Sequence, residues 1–174
     1  MACVKICITG PESTGKSSLT KQLAAHFQFP YVDEKAREYL NNLSSKHKFE
    51  DLESIAQLQL DSIQTIAKES TILLCDTDLL TIKIWAQDKY EQEIQLVEEQ
   101  YQKQQADLYL LCYPDLDWQS DPLREDEHRL MEIYLFYIGM LEYMDAKYTV
   151  IKGEGAERFE SAKEAVSDFL LKEC

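Results

Sequence analysis

Nearly continuous apolar runs alternate along the chain with segments in which apolar residues recur at helical spacing. Runs such as VKICIT and LYLLCY contain few polar positions, which is typical of strands that are buried on both faces of a parallel sheet. The pattern predicts five strands, at Cys3–Thr9, Tyr31–Asp33, Thr71–Cys75, Leu108–Tyr113 and Tyr148–Lys152.

Between these strands the apolar residues follow the period of an amphipathic helix. The pattern predicts helices at Ser17–Phe27, Leu52–Ala67, Ile94–Gln105, Leu130–Met144 and Ala156–Leu171. Ile94–Gln105 is mostly polar and is expected on the surface, whereas Leu130–Met144 is apolar and is expected to cross the core. Alternating strands and helices predict one α/β domain over residues 1–174, with a parallel, roughly five-stranded sheet and flanking helices. The carboxyl ends of its strands meet at one edge, where such sheets bind ligands.

Composition excludes several classes of function. The 174 residues carry a formal net charge of −14, which argues against a general nucleic-acid binder and against adhesion to an anionic membrane. No apolar segment reaches about 18 residues, so no transmembrane helix is expected, and no signal peptide is recognisable. The five cysteines form no CxxC pair, which indicates reduced thiols in the cytoplasm.

The strongest motif follows the first predicted strand. Residues 10–17, GPESTGKS, match the phosphate-binding pattern GxxxxGK[ST]. Gly10 and Gly15 let the backbone approach a phosphate closely, and the surrounding amides point at it. Lys16 reaches the β- and γ-phosphates, while the Ser17 hydroxyl can bind Mg²⁺. The segment therefore predicts binding of ATP and Mg²⁺, with further main-chain contacts at Glu12, Ser13, Thr14 and Ser18.

Acidic residues follow two other strands. The run ILLCDTD has the form of a Walker B element, and at least one of Asp76 and Asp78 is expected to face Mg²⁺ or an accepting hydroxyl. The alternative is that they cap the helix through Trp85. Asp33 and Glu34 follow the second strand and could bind sugar hydroxyls or accept a proton, or simply begin a charged helix.

Residues 114–129, after the fourth strand, have the composition of an irregular loop with two arginines. Pro114 and Pro122 interrupt regular structure, and Arg124 and Arg129 flank an acidic stretch. In a kinase, a mobile lid brings arginines onto the transferring phosphate. The alternative is that both arginines form surface salt bridges. Trp118 either stacks on an aromatic ring of the substrate or covers the core.

The motifs GPESTGKSSL, VDEKAREYL, LLCDTDLLTIKIWAQDKY, YLLCYPDLDWQSDPLREDEHR and IKGEGAERF together cover nearly the whole chain. In this combination the chain resembles the ribosylnicotinamide kinase domain of bifunctional bacterial NAD-salvage regulators. The resemblance implies a P-loop kinase fold with an arginine-bearing lid. It also implies phosphorylation of the 5′-hydroxyl of nicotinamide riboside by ATP with Mg²⁺, which yields nicotinamide mononucleotide.

Matching positions imply residue roles. Asp76 would contact the substrate hydroxyl, with Asp78 beside it as a candidate metal ligand. Arg124 and Arg129 would be the lid arginines. The resemblance further places Glu34 and Arg37, after strand two, at the riboside. It places Gly153 and Gly155, after strand five, at the adenine.

Two departures from the family limit the resemblance. The family carries an adenylyltransferase domain before the kinase, whereas this chain begins at the first kinase strand, so kinase chemistry alone is expected, without DNA binding. The segment Asp33-Glu34-Lys35 also lacks the aromatic residues expected beside nicotinamide.

Two other functions remain open. One is a kinase for a different nucleoside or for a nucleoside monophosphate, to which Lys35 and Arg37 would lend basic charge. The other is a regulatory P-loop ATPase that acts through a protein partner. The short chain and the arginine-bearing lid favour a kinase of a small-molecule nucleoside.

Overall fold

A single parallel sheet forms the centre of the molecule, in a computed structural model that describes residues 3–44 and 46–173. Its five strands lie in the order β2–β3–β1–β4–β5, and all four neighbouring pairs are parallel. This confirms the predicted α/β fold. The strands are β1 (Val4–Thr9), β2 (Tyr31–Val32), β3 (Ile72–Asp76), β4 (Leu108–Cys112) and β5 (Tyr148–Ile151).

Helices cover both faces of the sheet. They are α1 (Lys16–Phe27), α2 (Lys35–Asn41), α3 (Phe49–Ala67), α4 (Leu79–Tyr90), α5 (Gln95–Gln100), α6 (Leu130–Tyr143) and α7 (Gly155–Glu173). None of these helices is long and apolar enough to cross a bilayer. Cys7, Cys75 and Cys112 are buried free thiols, and Cys3 is a partly buried free thiol. Cys174 lies outside the described residues.

Alternate residues of the central strands pack on opposite faces of the sheet. In β1, Ile6 and Ile8 join a cluster with α1 and α7, through residues such as Leu23 and Val166. Cys7, between the two isoleucines, joins the cluster on the other face, which includes Tyr137 of α6. Because both faces are covered, both sets of alternate positions must be apolar, and this explains the continuous apolar runs.

Two helices differ from the sequence expectation. The helix expected at 94–105 is shorter, and it is not merely a surface element, because Ile94, Val97 and Tyr101 are buried. These residues form a narrow apolar stripe in a mostly polar segment and pack beside α3 and α4. Conversely, α6 does not cross the core: one side of it is buried, while Leu135 and Tyr143 are 61% and 74% exposed.

The parallel arrangement brings five loops to one edge of the sheet. The loop after β1 holds the phosphate-binding motif, and the loops after β2 and β3 hold the acidic residues. The segment after β4 is the candidate lid, and the loop after β5 holds Gly153 and Gly155. The functional candidates, although distant in sequence, therefore meet above the carboxyl ends of the strands.

Candidate active site

A cavity of about 420 Å³ lies at this edge of the sheet. Its wall includes residues 10–19 around the phosphate-binding loop, Glu34 and Arg37 after β2, and Arg124 of the candidate lid. It also includes Gly155, at the start of α7. One concave site thus brings together most of the residues that the sequence singled out.

Two glycines give the phosphate-binding loop its curvature. Gly10 has φ 132°, and a Cβ there would lie 2.8 Å from the carbonyl oxygen of Cys112. Gly15, with φ 76°, is also in the left-handed region, which favours glycine. The hydroxyl of Thr14 and the Nζ of Lys16 each donate to the carbonyl of Pro11, at 2.7 Å. These two contacts curl the loop around the space where its amides can bind phosphate.

Asp76, the last residue of β3, is the most unusual carboxylate of the site. Its side chain is buried at 1% exposure, and its Oδ1 atom has no hydrogen-bond partner among the described residues. Burial, reinforced by the nearby Glu34 carboxylate, raises the pKa of Asp76 to about 6, although Ser17 and Lys16 oppose the shift. All three neighbours line the cavity. An orphaned carboxylate oxygen beside the Ser17 hydroxyl fits Mg²⁺, which prefers hard oxygen ligands.

Asp78 is a helix cap, and neither it nor Asp76 is among the described residues that line the cavity. Its Oδ1 accepts from the amide of Leu80 at 3.0 Å, and its Oδ2 accepts from the Tyr109 hydroxyl at 2.8 Å. Because both oxygens are engaged inside the protein, the expected metal and substrate roles of Asp78 are corrected to the capping alternative. Between the two acids, Thr77 has φ 66°, an uncommon conformation for a β-branched residue.

Gln59 of α3 connects the two acidic loops and was missed by the sequence analysis. It is 1% exposed, its Oε1 accepts from the amide of Lys35 at 2.8 Å, and its Nε2 donates to the carbonyl of Thr77 at 3.3 Å. The start of α2, with Glu34, is thereby tied to the turn after Asp76. The sequence held one signal for this role, because Gln59 is a polar amide on the apolar face of the predicted helix Leu52–Ala67.

Arg37 pairs with Asp121 of the segment 114–129 and not with Glu34. Its Nη1 lies 2.8 Å from the Asp121 carboxylate. Glu34 lines the cavity and has no ion-pair partner within residues 3–44 or 46–173. Glu34 therefore presents an uncompensated carboxylate to the site.

The segment 114–129 lies against the phosphate-binding loop. The Glu12 carboxylate accepts from the backbone amides of Glu125 and Asp126, at 2.8 and 2.6 Å. The Ser13 hydroxyl accepts from the amide of Gln119 at 2.9 Å. The side chains of Glu12 and Ser13 are thus used to hold this segment, and only their main chain remains for a phosphate.

The two arginines of this segment have different surroundings. Arg124 lines the cavity, and its Nη1 donates to the Gln119 carbonyl at 2.7 Å and lies 3.4 Å from the Ser13 hydroxyl. Arg129 does not line the cavity, and it forms a bidentate pair with Asp88 and a further pair with Glu132. Arg129 therefore follows the salt-bridge alternative, and the expectation that it is a lid arginine is corrected.

One face of α4 forms a wall that the sequence analysis did not identify. Thr81, Trp85, Asp88 and Lys89 recur at helical spacing and line the cavity. The Nε1 atom of Trp85 is buried without a partner among the described residues. Two carboxylates of the segment 114–129 neutralise Lys89, because its Nζ lies 2.8 Å from Glu125 and 3.5 Å from Asp126. The spacing i, i+4, i+7, i+8 was the signal for this face.

The chain after β5 meets the cavity at Gly155, the first residue of α7. Gly155 lines the cavity, whereas Gly153 does not and instead donates its amide to Asp115 at 2.7 Å. Trp118 is half-buried and is not among the described residues that line the cavity, so its role remains a prediction.

Arg158 of α7 also lines the cavity, and the sequence analysis did not identify it.

Comparisons with known proteins agree with this architecture. The family AAA_28, described as an AAA domain, matches residues 5–158. A structure described as NadR protein in complex with NR superposes with a TM-score of 0.78 at 24% identity, covering 96% of this chain and 51% of that chain. No curated protein matches the chain.

Two further structures are similar. One, NadR protein in complex with NAD and AMP-PNP, has a TM-score of 0.78 at 22% identity, covering 96% of this chain and 49% of that one. The other, thymidylate kinase from Ehrlichia chaffeensis, has a TM-score of 0.66 at 14% identity, covering 98% and 100%. The chain therefore spans about half the length of the NadR structures. The likeness confirms the P-loop kinase fold, and the chain belongs to the AAA domain family that matches residues 5–158.

Proposed function

We propose that this protein is an ATP-dependent kinase that phosphorylates the 5′-hydroxyl of nicotinamide riboside to nicotinamide mononucleotide. The P-loop, the kinase fold and the similarity to NadR protein in complex with NR support the proposal. One observation carries it: Asp76, a buried carboxylate whose Oδ1 has no partner among the described residues, interacts electrostatically with Lys16, Ser17 and Glu34 of the cavity wall. This arrangement suits a hydroxyl acceptor next to a polyphosphate.

The charges around the acceptor half of the cavity favour a nucleoside without a phosphate. Arg37 and Lys89, the two cations there, are neutralised by carboxylates of the lid. Asp76 and Glu34 have no cationic partner of their own within the described chain. A monophosphate would therefore meet net negative charge, whereas the positively charged ring of nicotinamide riboside would be attracted.

An aromatic wall in the same half suits a planar base. Trp85 lines the cavity together with Tyr137, Ile84 and Leu40. The face of an indole ring attracts cations and stacks on aromatic rings. The aromatic group that the segment after β2 lacks is thus supplied by α4, and this wall is where we place the nicotinamide ring.

Catalysis would consist mainly of positioning and charge stabilisation. The loop amides and Lys16 hold the β- and γ-phosphates of ATP, and Arg124 contacts the transferring group. Asp76 orients the 5′-hydroxyl and receives its proton, while a new O–P bond forms and ADP leaves. Ser17 would hold Mg²⁺ near the Asp76 carboxylate, and the ion would neutralise phosphate charge when bound. We propose that residues 114–129 act as the lid, and that the reaction takes place in the cytoplasm.

The experiment that tests this function measures ADP release from Mg-ATP with a panel of acceptors. The panel contains nicotinamide riboside, uncharged nucleosides and nucleoside monophosphates, and Lys16→Ala is the negative control. We expect turnover that depends on the acceptor and is fastest with nicotinamide riboside. Faster turnover of a monophosphate would contradict the charge argument. Slow hydrolysis that no acceptor changes would instead favour a regulatory ATPase.

Arg124→Ala is expected to lower kcat by about 10²-fold while changing ATP affinity little, because its main effect is on charge that develops during transfer. Arg129→Ala is the matched control, since Arg129 does not line the cavity and its guanidinium pairs with Asp88 and Glu132. We expect the control to keep kcat within about threefold, the range typical of surface changes. Steady-state kinetics with ATP titration checks both variants. Equal losses in the two would remove the distinction between them.

A further inference from the structure

We propose that Arg158 is a positioning residue that holds one peptide group of the phosphate-binding loop in its phosphate-binding orientation. The peptide links Thr14 to Gly15. Nη2 of Arg158 donates to the carbonyl of Thr14 at 2.9 Å, from α7, more than a hundred residues further along the chain. The inference goes beyond the acceptor chemistry and needs only the binding of a polyphosphate.

The guanidinium is buried and joins three separate loops. It is 4% exposed, and besides Thr14 it donates to the carbonyls of Tyr113 at 2.9 Å and Gly153 at 2.7 Å. Its Nη1 also pairs with Asp115 at 2.7 Å. Because its neighbours come from the ends of β4 and β5, Arg158 fixes the phosphate-binding loop relative to the sheet.

Peptide geometry explains why this contact matters for phosphate binding. In a trans peptide the carbonyl and the following amide point in opposite directions. A Thr14 carbonyl held toward Arg158 therefore turns the Gly15 amide away from Arg158. Both Thr14 and Gly15 line the cavity, and amides of this loop type bind phosphate oxygens.

Glycine makes this peptide easy to misplace. Gly15 has φ 76°, and glycine occupies positive and negative φ with similar ease. Rotation of the Thr14–Gly15 peptide would therefore meet little intrinsic resistance and would turn the amide away from a phosphate. The Thr14 side chain is already tied to the Pro11 carbonyl, so Arg158 supplies the second constraint, on the main chain itself.

Asp115 anchors the guanidinium. Its Oδ1 pairs with Arg158, while its Oδ2 accepts from the amide of Gly153 at 2.7 Å. Although burial opposes the shift, these two contacts lower the pKa of Asp115. An ionised Asp115 keeps Arg158 in place, and the bidentate guanidinium is suited to several acceptors at once, unlike a lysine.

The test is the affinity of Arg158→Lys for Mg-ATP and for Mg-tripolyphosphate, measured by calorimetry. We expect both dissociation constants to rise by a similar factor, about tenfold, while the KM for the acceptor stays unchanged. Lys163→Ala is the control, because Lys163 lies on the same helix and pairs with Glu160; it should alter neither affinity.

Two outcomes would overturn the proposal. Weaker ATP binding with unchanged tripolyphosphate binding would mean that Arg158 acts on the nucleoside part of ATP. Unchanged binding of both would mean that the loop keeps its shape without Arg158. If Arg158→Lys does not fold, Asp115→Asn provides the same comparison, with a smaller parallel loss expected and unchanged affinities again overturning the proposal. If no nucleoside is phosphorylated, this test still applies, because it measures the binding of a polyphosphate and not its transfer to an acceptor.

Discussion

Asp76→Asn is expected to abolish phosphoryl transfer and, at the same time, to stabilise the protein at pH 8. The amide can neither receive the proton of the acceptor hydroxyl nor compensate a cation beside Ser17, so we expect kcat to fall by about 10³-fold. An unfavourable buried charge that is retained at a catalytic position is a recognised cost of function.

The stability effect follows from the pKa of Asp76. Because burial and Glu34 raise this pKa to about 6, above the value of an unfolded chain, the charged carboxylate opposes folding at higher pH. Removing the charge is expected to increase the free energy of unfolding by about 1–3 kcal/mol at pH 8. Urea denaturation of the wild type and the variant measures the difference.

The same pKa predicts two dependences on pH. Below about pH 6 the carboxylate becomes protonated, so the stability gain of Asp76→Asn should fade as the pH falls through 6 towards 4. For the same reason, kcat/KM of the wild type should fall on the acidic side, with a midpoint near this pKa.

Asp78→Ala is the matched control, because Asp78 is an acid two residues away that caps α4. Its loss leaves the Tyr109 hydroxyl and the Leu80 amide without their acceptor and should destabilise the protein by about 1–3 kcal/mol. Destabilisation by Asp76→Asn at pH 8, or full activity of that variant, would contradict the role given to Asp76.

Lys16→Ala is expected to remove turnover while leaving the fold intact. Lys16 lines the cavity and contributes a single mobile charge to the phosphates. Among the described residues its Nζ donates only to the Pro11 carbonyl. We expect kcat/KM for ATP to fall by about 10³-fold, with circular dichroism and urea midpoint close to those of the wild type. Coupled ADP detection measures the activity.

Lys21→Ala is the control for Lys16→Ala. Lys21 also lies on α1, but its side chain is 57% exposed and pairs with Asp33 at the surface. Its loss should change neither activity nor stability by a measurable amount. Turnover of Lys16→Ala at the wild-type rate would exclude the loop from the reaction, whereas equal losses in both variants would indicate a general effect on α1.

The sequence alone was sufficient for the features that depend on local pattern. Continuous apolar runs that alternate with segments of helical periodicity predicted a parallel α/β sheet, and the GPESTGKS motif predicted a glycine-rich phosphate loop. The structure shows both features. Strand ends were correct to within a residue or so. These features succeed because chain direction, side-chain period and glycine conformation are set by neighbours in the sequence.

Tertiary structure decided which partners each of several equivalent residues has. Asp76 and Asp78 are alike in sequence, but only Asp78 lies within reach of Tyr109 from β4. Arg124 and Arg129 are also alike in sequence, but Arg129 forms an ion pair with Asp88 of α4. Arg158 reaches the phosphate-binding loop only because α7 packs beside it. The sequence thus determined the fold class and the phosphate-binding loop, whereas residue roles required the structure, because long-range hydrogen bonds and ion pairs choose among identical side chains.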